Sequence, residues 1–193
     1  MKAISNLAMF LYEAGTLRKT ARAHRQTLLT DDLSDNIASH SFRVALIAFF
    51  LAKLEKANSN KALLMALFHD IPEARSGDQN WVHKKYVKVF EEEIIADQLK
   101  GLPGDKELKN LAEEYHDRKS IESKIAKDAD LIDQILLLKE YDWNGNKEAA
   151  DWLRGEQQYN KLTTKSAKRL AKEIISQKPH SWWNNLWTPE RRK

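Results

Sequence analysis

Cysteine is absent from the 193 residues. That excludes disulfides and thiolate metal sites, so any bound metal must be held by nitrogen and oxygen donors. Glycine (6) and proline (4) are scarce; few positions force a turn, and the many Leu, Ala, Lys and Glu favour an all-α chain. No apolar run approaches the ~18 residues of a membrane span. The N-terminus lacks a basic region followed by an apolar signal segment, so a cytoplasmic protein without membrane contact is expected. Nor does charge of one sign dominate. Thirty-two basic residues face 28 acidic ones, for a net charge of +4. This is no clamp for a nucleic-acid polymer, while a mild positive balance suits a small anionic substrate. There is no internal repeat, low-complexity tract or long linker. One domain is therefore expected over 1–193, with a core at about 18–140 and C-terminal helices and a Trp-rich tail over 147–193.

The apolar spacing predicts the elements. Ile4, Leu7, Ala8, Leu11 and Tyr12 form one helical face over 4–17. Residues 18–33 read as a loop carrying Arg18, Arg22, His24 and Arg25. Ser34 or Asp35 is expected to cap the next helix, whose inward face runs His40, Val44, Ile47, Ala48 and Leu51. Asn58 or Ser59 caps a third helix through Phe68, which Pro72 ends or kinks. Further helices are expected at about 84–100, 105–117 and 120–141, with one or two more in 147–177. Gly101-Leu102-Pro103-Gly104 separates two of them.

Chemistry concentrates in three places. The dipeptide His69-Asp70 ends an apolar stretch, His40 lies upstream, and Asp130 lies downstream with Asp128 and Asp133 as competitors. Asp128 points about 200° around the helix from Asp130, so both cannot serve one site. Two imidazoles and two carboxylates suit one divalent cation, with positions left open for water and substrate. Such a set is seldom needed for folding and points to an enzyme. A second dipeptide, His116-Asp117, sits in a strongly polar stretch and reads as an exposed helix end. His24, His83 and His180 read as surface residues. Trp81 is expected to pack on the following helix, with stacking on a base as the alternative. Three of the six Trp fall within His180–Trp187, a segment expected to fold back on the domain or onto a second subunit.

The stretches Ser39-His40-Ser41-Phe42-Arg43-Val44-Ala45, Ala66-Leu67-Phe68-His69-Asp70-Ile71-Pro72-Glu73-Ala74, Ser76-Gly77-Asp78 and Lys127-Asp128-Ala129-Asp130 resemble those of the HD-domain metal-dependent phosphohydrolases. They are most similar to the 5′-deoxynucleotidase branch, and the similarity spans about residues 18–140. It implies an all-α, compact HD-domain bundle of roughly seven to nine helices. It also implies His40, His69, Asp70 and Asp130 as ligands of one divalent ion (Mn, Co, Mg, Fe, Ni or Zn), with Glu73 and Asp78 moving protons. A basic residue before the first His would hold the phosphate; Arg22 aligns best and Arg25 competes. The implied reaction is attack of metal-activated water on a (deoxy)nucleoside 5′-monophosphate, a small-molecule nucleotide substrate. Alternatives are hydrolysis of a cyclic nucleotide or nucleoside triphosphate, or a non-catalytic nucleotide-binding regulatory module. Similar enzymes are often dimers, so a homodimer is expected. The chain departs from the family at Gln79-Asn80-Trp81, where many relatives continue with a hydrophobic residue and proline, and it lacks the usual aromatic partner beside Arg22.

Overall fold

The computed structural model describes residues 2–184 and 186. Among these the chain is all α, with twelve helices, eight of them of eight residues or more. The first, α1 (Lys2–Ala14), runs into a 3-10 turn, Gly15–Lys19. Its buried contact is Phe10, which meets Leu99 and Leu102, whereas Ile4, Leu11 and Tyr12 face solvent. Of the expected apolar face only Leu7 packs here, against the Phe10 cluster; α1 lies at the edge of the bundle, and Glu13 adds contacts to Arg75 and Gln98.

Residues 18–33 are not wholly a loop, since His24–Leu28 form α2. The next helix, α3 (Ile37–Leu54), is capped by Asn36, whose side chain accepts from the Ser39 amide, rather than by Ser34 or Asp35. Asp32 instead takes the Ser34 amide and hydroxyl in a turn of its own. Asn58 caps α4 (Ser59–Phe68) as expected. Pro72 separates α4 from the single turn α5 (Glu73–Ser76).

The helix expected at 84–100 is two helices, α6 (Trp81–Tyr86) and α7 (Glu91–Leu99). Val87 between them is extended. β-Branched Val87 and Val89 disfavour the helix, and Glu91, Glu92 and Glu93 favour a fresh N-terminus by opposing its dipole. Trp81 does not pack on this pair; it is 66% exposed, because its place at the first turn of α6 turns it outward.

Then come α8 (Asp105–Asp117) and the longest helix, α9 (Ile121–Trp143), capped by Ser120. Three helices rather than two complete the bundle: α10 (Lys147–Arg154), α11 (Gln157–Asn160) and α12 (Lys165–Ser176). The tail begins to fold back, with the His180 ring 4.8 Å from that of Trp143. Trp182 and Trp183 remain exposed. The tail residues Trp187, Arg191, Arg192 and Lys193 lie outside the described residues.

The centre is α3, α4 and α9. Ala48 and Ala52 on α3, Ala62 and Ala66 on α4, and Ala126 and Ala129 on α9 are all fully buried. Such small side chains let helix axes approach closely, while Leu51, Met65, Ile125 and Ile132 fill the space between. α3 is long and apolar enough to cross a membrane by length and composition. In the fold its Val44–Ala48–Leu51 face belongs to the core. This close three-helix contact brings the first turn of α3, the end of α4 and the middle of α9 to one point.

Candidate metal centre and active site

His40 comes from the first turn of α3, His69 and Asp70 from the end of α4, and Asp130 from α9. Ligating atoms of His40, His69 and Asp130 lie within 4.8 Å of one another. Asp70 straddles the two rings, with one oxygen 3.3 Å from His40 Nε2 and the other 3.2 Å from His69 Nε2. Asp130 Oδ1 lies 3.4 Å from His40 Nε2. The structure thus brings together all four residues that the sequence singles out.

The tautomers follow from the other side of each ring. His69 Nδ1 donates to the Ala66 carbonyl oxygen at 2.7 Å. His40 Nδ1 meets Asp133 Oδ2 at 2.6 Å, and Asp133 is in turn gripped by Arg43. With Nδ1 engaged, each neutral imidazole presents its Nε2 lone pair to the carboxylates. Both Nε2 atoms are buried and lack a hydrogen-bond partner. Lone pair facing carboxylate oxygen is stable only with a proton or a cation between them. Burial and Arg22 draw the His40 pKa down, but the carboxylates of Asp130, Asp133 and Asp70 around the ring prevail and raise it well above the usual value. Asp130 is held well below the carboxylate range: burial opposes this, and Lys127, His40 and His69 outweigh it. The donor set and its orientation therefore fit a divalent cation. Asp133, a competitor for the ligand role in the sequence, orients His40 from behind, the arrangement common to metal-binding histidines.

Asp128 is fully buried on the opposite side of α9. It accepts from the Thr163 amide at 2.9 Å and from the Thr164 amide and hydroxyl at 2.7 Å each. This matches the helical geometry that separates it from Asp130.

A cleft of about 440 Å³ opens over His69, Asp70 and Asp130 and is lined by Arg22, Glu73 and Asp78. Arg22 is buried, with Nη1 3.8 Å from Asp70 and Nε 3.5 Å from Asp78. Arg25 lines a separate shallow hollow and not this cleft. Asp78 accepts from the Ala23 amide at 2.7 Å. Fully buried Asn80 donates to the Ala23 carbonyl and to Gln26 while capping α6. These two latches fix the Arg22 segment, so Asn80, where the chain departs from the family pattern, has a structural task. Burial pushes the Glu73 carboxyl up to about 10, with Asp70 and Asp78 adding to the rise and Arg22 and His40 opposing it.

His24 is not a surface residue. It lines the cleft, takes a 3.2 Å contact from Gln134, and stands edge-on to Trp152. Burial lowers its pKa to about 4, and Arg22 pushes the same way. Nothing in its local sequence signals this, because the placement depends on α9 and α10. His116 is exposed, as expected, and pairs with Glu91 at 3.1 Å.

A family model for the HD domain matches residues 14–175. The chain belongs to the HD-domain family. Its members are the metal-dependent phosphohydrolases that the four motifs resemble. The 5′-deoxynucleotidase HDDC2 of Bos taurus is 33% identical over 150 residues, covering 74% of this chain and 71% of that protein. The Homo sapiens protein of the same name is 31% identical over 145 residues, 71% and 69% of the two chains. Among solved structures, a conserved hypothetical protein from Pyrococcus furiosus superposes with a TM-score of 0.71 at 28% identity, over 86% of this HD chain and 98% of its own. A predicted metal-dependent phosphohydrolase from Magnetospirillum magnetotacticum shares the fold, with a TM-score of 0.70 at 24% identity over 91% and 94%.

Proposed function

We propose that this HD protein cleaves (deoxy)nucleoside 5′-monophosphates to nucleoside and phosphate. The observation that carries the reading is the pair of buried, unpartnered Nε2 atoms aimed at Asp70 and Asp130, beneath a cleft that also holds Arg22, Glu73 and Asp78. The 5′-deoxynucleotidases at 33% and 31% identity support the substrate class.

His40, His69, Asp70 and Asp130 would hold one divalent cation. When bound, it supplies Lewis acidity, polarising a phosphoryl oxygen and acidifying water. Arg22 offers a planar fork to the remaining phosphate oxygens, and its buried setting strengthens that contact. Glu73 orients the attacking water and exchanges a proton with it. Asp78, held by the Ala23 amide, serves the leaving 5′-oxygen or the sugar hydroxyl. A poor alkoxide leaving group needs such a proton source.

Phosphate release tests the reading. The panel is deoxyribo- and ribonucleoside 5′-monophosphates, with 3′-monophosphates, cyclic nucleotides and triphosphates as controls, each with Mn²⁺, Co²⁺, Mg²⁺ or chelator. Metal-dependent release from the 5′-monophosphates, and none from these controls, is expected. Asp70→Ala should remove metal binding and activity together, and Glu73→Ala should keep the metal and lose turnover. A Glu73→Ala protein as active as the parent would overturn the proton-transfer role; silence across the panel would overturn the substrate class.

A further inference from the structure

Basic side chains line the cleft beyond the one over the candidate metal centre, alongside its carboxylates. Arg22 already sits over the metal centre, yet Lys84, Arg118, Lys127 and Lys161 also line the walls. Lys127 is engaged with Asp130 at 2.6 Å. Arg118 has no ion pair among the described residues, and its Nη1 is buried without a partner. An unpaired guanidinium nitrogen out of reach of water lacks the acceptor that buried donors normally find.

Arg118 is also held in place. Its guanidinium lies 3.4 Å from the centre of the Tyr115 ring. That ring is 5.4 Å from the ring of His69. The group is thus set, through one aromatic layer, against a residue of the candidate metal centre. Its backbone is left-handed, φ +54° at the C-terminal cap of α8, a conformation that favours glycine after a helix. A long cationic side chain is kept at a position where its backbone is strained, beside a functional cleft.

We propose that Arg118, on the wall of the cleft that Lys161 also lines, forms a second anion subsite that recognises an additional phosphoryl group on the nucleotide whose 5′-phosphate is cleaved. The proposal rests on the nucleotidase reading for the identity of the reaction, not for the presence of the subsite. The shared chemistry is a second phosphate, either on the sugar, as in a nucleoside 3′,5′-bisphosphate, or on the first, as in a 5′-diphosphate.

The test compares adenosine and deoxyadenosine 5′-monophosphate with the corresponding 3′,5′-bisphosphate and 5′-diphosphate. The parent should favour one doubly phosphorylated compound by about ten- to a hundredfold in kcat/KM, the range of one charge-assisted Arg–phosphate pair. Which compound is favoured assigns the position of the second phosphate. Arg118→Gly removes the side chain and relieves the left-handed backbone, so a folding defect does not confuse the result; its preference should fall to about one. Lys119→Ala, a neighbouring exposed charge paired with Asp117, controls for net charge and should keep the parent ratio. Titration calorimetry of the same nucleotides on chelator-treated protein should give the same ratio in Kd without turnover. A silent phosphatase assay would then overturn the nucleotidase reading alone. Equal affinities for singly and doubly phosphorylated compounds in the parent, or a preference that survives Arg118→Gly, would overturn the subsite.

Discussion

Asp35 is a carboxylate poorly provided for. Its Oδ2 is buried without a partner, although its backbone carbonyl accepts from the Arg22 amide. Burial pushes its pKa up to about 6; Asp133 and Asp32 raise it further, and Arg22 and His40 pull against them. A folded pKa above the unfolded one means that the folded protein holds this proton more tightly. The stability it contributes is complete below about pH 4 and is lost as pH rises through about 6. Asp35→Asn should therefore stabilise the protein at pH 8 by about 1–3 kcal/mol, the upper end being the full linkage from a shift of about two pH units. At pH 4 the gain should vanish. Urea unfolding at the two pH values measures it, and an equal gain at both would show that charge is not the cause. Asp133, one turn of α9 beyond Asp130, is a contrasting case. It too is largely buried, but His40 and Arg43 take both oxygens, so its pKa is lowered despite the burial. Supply of donors, not burial alone, separates the two carboxylates.

At the scale of elements, α9 works on two opposite sides. Asp130 and Asp133 face the cleft and His40, while Asp128 reaches across to the start of α12. The Asp128 carboxylate collects two backbone amides and two hydroxyls from Thr163 and Thr164. Asp128→Ala strands those donors and undocks α12. It should cost about 2–4 kcal/mol, read as a lower urea midpoint, while metal binding per folded molecule stays at the parent level. Loss of metal binding in the folded variant would contradict this division of labour. Much of the layout is legible in the sequence because it is local: the periodicity of α3 puts His40 on the core side, Pro72 frees His69 and Asp70 from α4, and helical geometry parts Asp128 from Asp130. The rest depends on contacts between distant segments. His24 looks like a loop residue until Gln134 and Trp152 are beside it. Asn80 departs from the family motif until Ala23 and Gln26 explain it. Arg118 sits in a polar run that gives no hint of the Tyr115 ring below it. Periodicity reports which face of a helix is buried, but not which partner meets it.

For the molecule as a whole, the candidate centre joins three helices that otherwise meet mainly through the apolar core. Removing the cation leaves Asp70 and Asp130 close to each other's field, with protons, Lys127 and Arg22 as counter-charge. A cation that binds the folded chain and not the unfolded one adds RT ln(1 + [M]/Kd) to stability, about 2.7 kcal/mol at a hundredfold excess over Kd. In a domain of this size that should raise Tm by about 5–10 °C. The size of the shift should grow with pH across the imidazole range, because His40, whose pKa is raised, must release its proton before its Nε2 can bind metal. Differential scanning calorimetry with Mn²⁺ or chelator at pH 6 and pH 8 tests both parts. His40→Gln should abolish the shift at either pH. A shift that persists in His40→Gln would move the cation away from the junction of α3, α4 and α9, since no other histidine reaches Asp70 and Asp130 from α3. A shift of the same size at both pH values would instead show that His40 gives up no proton on binding.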